Sequence, residues 1–375
     1  MVMSMLRTLY TTAAAIVAAV LFTQPCLAAP DCSASCAIVM DADTGAVLCE
    51  KQADKPCRIA STTKIMTAVV VLEHCAPEEE FVIPPEATNV EGSSIYLQPG
   101  EVLTIRELLY GMMLQSGNDA AIALALACSG SVEEFVVLMN LKAQALGMEH
   151  SSFHNPNGLD DEGHYASARD LARLAAYALE NPTFREIVST KRYSCGSRCF
   201  VNHNKLLWSV EGAIGVKTGF TKAAGRILVS AAERDGRCLI VVTINDGNDW
   251  QDHKNYYDYG FACYEERTLV ALRAPVADIP LMDGTHATLL AGDSVACYAA
   301  DDEKVTVRLL YPRQAFSAGT PGTFAGSAAV YLEGRRIATI RLLWGKTEEF
   351  YGAATAKDLV RARGGFAACC GAADR

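Results

Sequence analysis

Three short segments lie far apart along the chain, and their chemistry is usable only if the fold brings them together: Ser61-Thr62-Thr63-Lys64, Ser116-Gly117-Asn118 and Lys217-Thr218-Gly219. No single local element can join them, so early, middle and late segments must converge in one layered domain. Ser61 and Lys64 stand at i and i+3, which on a helix puts both side chains on one face, a turn apart. A serine hydroxyl is a weak nucleophile at neutral pH and needs a base within hydrogen-bond reach. Lys64 can be that base only when uncharged. Burial lowers an amine's pKa, and so does a second cation such as Lys217. A helix start beneath Ser61 also favours developing negative charge.

Ser116-Gly117-Asn118 precedes an expected helix at Asp119-Ala120-Ala121. One reading is a plain helix N-cap. The other makes Ser116 a proton relay between Lys64 and a leaving amine, with Asn118 offering its amide to a substrate backbone group and Gly117 allowing close approach. Lys217-Thr218-Gly219 is expected just before a strand. Lys217 would hold a substrate carboxylate and Thr218 would add a hydroxyl hydrogen bond. Gly219 would let an extended substrate lie along a strand edge. The backbone N–H groups of Ser61 and Phe220 are candidate oxyanion donors. Each triplet alone is weak evidence; all three in this order make coincidence a poor explanation.

The N-terminal residues bear on the compartment. Arg7 lies in a short positive leader, Ala13 to Phe22 is an unbroken apolar run, and Cys26-Leu27-Ala28 ends in small residues. Residues 1–28 read as a secretory signal peptide, with an apolar run too short to span a bilayer comfortably. There are fourteen cysteines. In an oxidising compartment Cys32 with Cys36, and Cys195 with Cys199, have spacings that can be bridged. No C-x-x-C pair and no H-E-x-x-H occurs, so neither metal nor cofactor is expected. A net charge of −10 and the lack of a basic patch exclude nucleic acid as a partner class.

Length and an apolar share of 50% fit two folded units after the leader. The first, 29–268, reads as α+β. A hairpin spans 37–48 around the turn 41–45. A helix opens at Ala60-Ser61 and runs to Glu73, with Ile65, Met66, Val69, Val70 and Leu72 as its buried face. Further helices are expected at 105–114, 120–127, 132–146 and 168–180. Strands are expected at 228–232 and 239–244, joined by Arg234-Asp235-Gly236. Helices in the middle with strands at both ends imply helices packed on an antiparallel sheet. The second unit, 275–351, alternates short apolar runs with turns and reads as a small all-β domain, its last hairpin turning at Glu333-Gly334-Arg335. The Ala- and Gly-rich stretch 352–375 reads as a flexible tail.

Beyond the triplets, several segments carry a resemblance: His154-Asn155-Pro156-Asn157-Gly158-Leu159, His164-Tyr165-Ala166-Ser167-Ala168-Arg169-Asp170-Leu171-Ala172, Asn202-His203-Asn204-Lys205-Leu206-Leu207 and Gly215-Val216-Lys217-Thr218-Gly219-Phe220-Thr221. Across most of residues 33–265 the chain resembles the low-molecular-mass penicillin-binding proteins, the serine-type D-alanyl-D-alanine carboxypeptidases. The resemblance implies a penicillin-binding-protein/β-lactamase-like domain followed by a β-rich one. It implies an exported hydrolase that removes the terminal D-alanine from peptidoglycan stem pentapeptides through an acyl-enzyme. Ser61, Lys64 and Ser116 would be catalytic; Asn118, Lys217, Thr218, Gly219 and Phe220 would bind substrate. The partners it implies are stem peptides ending in D-Ala-D-Ala and β-lactams as covalent inhibitors, at the cell wall or the outer face of a bacterial cytoplasmic membrane. Peripheral membrane contact is allowed, although the tail lacks a convincing amphipathic helix.

Rival readings need other equipment. A class A-like β-lactamase uses a glutamate to position the deacylating water; only Glu162 stands in the corresponding segment, in a different context. A transpeptidase usually brings large extra domains or a spanning anchor. A catalytically inactive cell-wall-binding protein has no need of an intact Ser61, Lys64, Ser116, Asn118 and Lys217. His154, His164 and His203 are weaker candidates for the base, and Arg226 and His253 weaker candidates for the cleft wall.

Overall fold

Strand β1 (Cys36–Asp41) is buried along its whole length, and so is β5 (Arg237–Ile244). A strand covered on both faces reads as a continuous apolar run instead of an alternating one. The two pair antiparallel at the middle of a five-stranded sheet. Its order is β2 (Val47–Lys51), β1, β5, β4 (Gly225–Arg234), β3 (Ala213–Thr221). Early and late segments therefore share one sheet, as the sequence implies. The computed structural model describes residues 29–263, 265–281, 285–299, 304–310, 317–332 and 334–348. The leader at 1–28 and the tail at 352–375 lie outside the described residues.

Helix α1 (Lys64–His74) is buried from Lys64 through Val71, nearly all round. Helices α2 (Ile105–Gln115), α3 (Asn118–Ser129), α4 (Val132–Ala145), α5 (Ala168–Glu180) and α6 (Pro182–Ser189) all pack against it, as does β3. The expected one-sided stripe is too narrow: Ala68 and Val71 are buried as well, while Leu72 is only partly covered. Caps fix the helix starts. Thr104 and Glu107 form a reciprocal capping box before α2, Ser131 and Ser167 accept backbone N–H bonds at α4 and α5, and Asn181 caps α6 with Pro182 in the first turn. Helix α7 (Asp249–Cys263), which the sequence pattern does not announce, packs on β4 and β5.

The chain divides into two compact units after Cys263. Glu265–Val270 pairs with Val295–Ala299, so that strand goes with the second unit. The second unit also holds an antiparallel five-stranded sheet in the order Pro275–Pro280, His286–Ala291, Arg335–Glu348, Phe324–Leu332, Val305–Leu309. Among the described residues no single helix is long and apolar enough to cross a membrane.

The cysteine pairs expected from close spacing do not meet. Cys36 Sγ faces Cys57 Sγ at 3.6 Å instead of Cys32. Cys195 stands opposite Arg198 and Cys199 opposite Ser194 in one hairpin, so their side chains leave opposite faces.

One buried ion pair ties the sheet to its outer helix. Arg237 Nε lies 3.2 Å from Asp41 Oδ2, and Nη1 donates to Gly260 O in α7 at 2.9 Å. Removing one member of such a pair leaves a charge buried without its partner. Arg237→Ala is therefore expected to cost about 3–5 kcal/mol of stability. Urea unfolding followed by circular dichroism should show a lower midpoint at unchanged slope.

Candidate active site

Ser61 does not open a regular α-helix. It sits in a 3₁₀ turn, Ala60–Thr63, that leads into α1 at Lys64. The turn is held by its own threonines: Thr62 Oγ1 donates to Ile59 O at 2.6 Å and Thr63 Oγ1 to Ala60 O at 2.8 Å. In this tight geometry residues i and i+3 eclipse, and Lys64 Nζ lies 3.1 Å from Ser61 Oγ. Nζ also donates to Asn118 Oδ1 at 2.7 Å and to the Asn157 carbonyl at 2.5 Å. Lys64 is fully buried, and that burial, with Lys217 nearby, holds its pKa well below the usual lysine range. A neutral amine has two N–H donors and one lone pair. Asn118 and Asn157 take the donors, so the lone pair is left facing the Ser61 hydroxyl.

The surroundings fix this arrangement. Asn118 begins α3, and its Nδ2 donates to Glu91 O at 2.6 Å. The neighbouring Asp119 carboxylate accepts from the backbone N–H groups of Ile95 and Leu97 and from Ser94 Oγ. That contact folds the 93–97 loop down onto the start of α3. Ser116 is the left-handed C-cap of α2, with φ 62°. It lines the same cleft as Ser61. Gly158 has φ +86°, and a Cβ there would lie 2.0 Å from Ala60 O. Only glycine lets the 155–158 loop press against the serine's backbone and deliver the Asn157 carbonyl. His164 Nδ1 accepts from the His154 N–H at 3.0 Å, so Nε2 carries the proton and donates to Thr63 Oγ1 at 2.6 Å. Burial lowers its pKa to about 4.

The cleft beside Ser61 has a volume of about 300 Å³. Its walls include Ser93, Ser116, His203, Thr218, Gly219, Phe220, Arg226, Asp249 and Trp250. One wall is β3, an edge strand with Gly219 drawn close to Ile59 O and Thr62. Arg226 pairs with Asp249 at 2.7 Å and is the cation in the lining.

The family model described as D-alanyl-D-alanine carboxypeptidase matches residues 23–248. The chain belongs to that family. It is 34% identical over 264 residues to the D-alanyl-D-alanine carboxypeptidase DacF of Bacillus subtilis, covering 67% of this chain and 68% of that one. It is 34% identical over 256 residues to DacC of Escherichia coli, covering 64% of each. Among solved structures, penicillin-binding protein 5 of Haemophilus influenzae superposes with a TM-score of 0.69 at 26% identity, covering 86% of this chain and all of that one.

Within this carboxypeptidase framework the expected site residues fall into two shells. Ser61, Ser116, Thr218, Gly219 and Phe220 reach the cleft. Lys64, Asn118 and Lys217 lie behind its lining, at 0%, 5% and 2% exposure. Lys217-Thr218-Gly219 lies within β3, not ahead of a strand. Lys217 Nζ donates to Thr218 O at 2.9 Å, and burial lowers its pKa to about 7. Its ammonium therefore faces inward, and Arg226 is the cation exposed to the cleft. The Asn118 amide turns to Lys64 and Glu91 for the same reason: α3 begins beneath the cleft floor. The N-cap reading of Ser116 also gives way, since Gly117 is the cap and makes no side-chain bond.

Of the remaining candidates, His203 lines the cleft and is lowered in pKa by burial and by Lys217. His154 is exposed and pairs with Asp161 at 2.8 Å. His253 is buried between Ser230 and Thr243, away from the cleft. Asn157 and Asp119 were missed as site residues. Asn157 acts through a carbonyl, which no residue type announces.

His164 gives a stability prediction. Its folded-state pKa lies below the ordinary value of 6.5, so the unfolded chain binds the proton more readily. Its stabilising contribution is complete above about pH 6.5 and is lost as pH falls towards 4, a change of roughly 3 kcal/mol. His164→Asn should flatten that part of a melting-temperature profile measured between pH 7 and 4.

Proposed function

We propose that this chain is an exported serine peptidase that removes the terminal D-alanine of peptidoglycan stem pentapeptides through an acyl-enzyme on Ser61. The observation that carries the reading is the lone pair of a buried, neutral Lys64 left facing Ser61 Oγ, 3.1 Å away. Lys64 takes the hydroxyl proton as Oγ attacks the carbonyl of the penultimate D-alanine. The backbone N–H groups of Ser61 and Phe220 stabilise the oxyanion. Ser116 passes a proton to the departing D-alanine amine, and water then releases the shortened peptide. The substrate backbone lies along the edge of β3 as an added strand. Its terminal carboxylate is received by Thr218 and Arg226. β-Lactams acylate the same serine.

The export reading rests on the leader at 1–28 and on the resemblance to cell-wall enzymes, and it places the protein outside the cytoplasmic membrane. Contact with the membrane surface belongs to the same proposal.

A β-lactamase requires rapid deacylation. Glu162 is exposed and does not line the cleft, and the carboxylate in the lining, Asp249, is engaged by Arg226. A mutant of the Streptomyces K15 DD-transpeptidase is similar in structure, at 35% identity and a TM-score of 0.60, covering 62% of this chain. Acceptor choice between water and an amine separates the two, and release of free D-alanine from a synthetic stem pentapeptide reads it directly.

Fluorescent penicillin should label the wild type with a long-lived adduct. Ser61→Ala should abolish labelling, and Lys64→Met should slow it by about 10²–10⁴-fold. Retained labelling in Ser61→Ala would reject the nucleophile, and rapid turnover in the wild type would favour the lactamase.

The two cations have separable signatures. Arg226→Ala should weaken peptides with a free carboxylate more than their amidated analogues. Lys217→Ala removes the charge that disfavours Lys64 protonation, so the Lys64 pKa rises. The ascending limb of the kcat/KM profile should then move to higher pH for both peptide types. An unmoved limb would remove Lys217 from the tuning of the base.

A further inference from the structure

Four cysteines outside the cleft stand at the roots of the elements that carry its groups. Helices α1 and α3 pack side by side. At one end Lys64 Nζ donates to Asn118 Oδ1 at 2.7 Å, joining the first residues of the two helices. At the other end, roughly 15 Å along each axis, Cys75 caps α1 and Cys128 lies in the last turn of α3. Those two thiols hydrogen-bond to each other. The second pair is Cys36 in β1 and Cys57, with Sγ atoms 3.6 Å apart. Cys57 is itself held against Ala166 by two backbone hydrogen bonds, and Arg58, Ile59, Ala60 and Ser61 follow directly. Both pairs thus join segments distant in sequence, and both flank the nucleophile or its base.

We infer that Cys36–Cys57 and Cys75–Cys128 form two intrachain disulfides that brace the Ser61–Lys64 segment, one against the central sheet and one against α3. A disulfide holds its sulfurs about 2.05 Å apart, so the Cys36 and Cys57 sulfurs, now 3.6 Å apart, close by about 1.5 Å when the bond forms. The bonds form by exchange with a disulfide oxidant, either oxidised glutathione or the disulfide of an oxidising protein. A thiolate attacks the oxidant to give a mixed disulfide, and the second thiolate of the pair then displaces the oxidant's remaining half. The oxidant leaves as two thiols, having gained the two electrons and two protons that the cysteine pair loses. In the second pair Cys75 is the attacking partner, because the hydrogen bond from Cys128 lowers its pKa and raises that of Cys128. In the first, Cys57 is partly exposed while Cys36 is buried, so the oxidant meets Cys57 first. Formation in the cell rests on the export proposed above; the pairing itself does not.

The test uses the purified full chain equilibrated with oxidised glutathione. Remaining thiols are alkylated, and the protein is digested and mapped by mass spectrometry. The expected result is two cross-linked peptide pairs, 36 with 57 and 75 with 128, each bond lowering the mass by about 2 Da. Reduction should lower the thermal midpoint by roughly 5 °C or more. That loss should be about halved in Cys128→Ser and absent in a variant carrying both Cys57→Ser and Cys128→Ser. Alkylated Cys57 and Cys128 in the oxidised protein, or links to other cysteines, would overturn the inference. The map requires no variant to fold. Neither the masses nor the melting midpoint depends on peptidase activity, so a failure here is distinct from a failure of the enzymatic reading.

Discussion

Two lysines buried side by side dominate the energetics of this molecule. Lys64 and Lys217 are both shielded from water, and Lys217 makes a charge on Lys64 still less welcome. For Lys217, a fall from the ordinary 10.5 to about 7 corresponds to roughly 4–5 kcal/mol of folding free energy forgone at neutral pH. That is a large share of the stability of a typical domain. The rest of the first unit is organised to sustain it. A helix buried nearly all round carries one lysine, and an edge strand of a sheet with a fully buried centre carries the other. The Asn118 side-chain oxygen and the Asn157 carbonyl accept hydrogen bonds from Lys64, and the Thr218 carbonyl accepts one from Lys217.

The supporting network extends outward in layers. Asp119 pins the 93–97 loop, His164 locks Thr63, and the 155–158 loop delivers a carbonyl to Nζ. Asp119, His164 and Asn157 stand outside the cleft lining, yet each removes a freedom that Ser61 and Lys64 would otherwise have. Ser61 and Lys64, carried on a single turn of chain, are only as well placed as the segments packed against that turn.

Much of this was legible in the sequence. The i, i+3 spacing of Ser61 and Lys64 survives the change from α-helix to 3₁₀ turn, because both geometries bring those side chains together. Capped helices such as α5, with Ser167 ahead of an apolar stripe, were legible to within a residue or two. Other elements were not. Helix α7 buries Asp249, Asp252 and His253 among its contacts, so its inner face carries polar residues and the apolar period is broken. Strand β3 was missed around Lys217 because a buried lysine interrupts strand alternation. The inward turn of Lys217, the exposure of Arg226 and the carbonyl of Asn157 depend on tertiary packing or on the backbone, and neither leaves a mark on residue type.

Gly158 sets a limit on how this protein can vary. Any side chain there collides with main-chain atoms of Ala60 and Ser61, and no neighbouring replacement can relieve a clash with backbone. Phe220, in the cleft lining, is 66% exposed and carries no such restriction. Divergence in substrate preference is therefore confined to the rim, while the floor beneath Ser61 admits a single amino acid and has no route of gradual change.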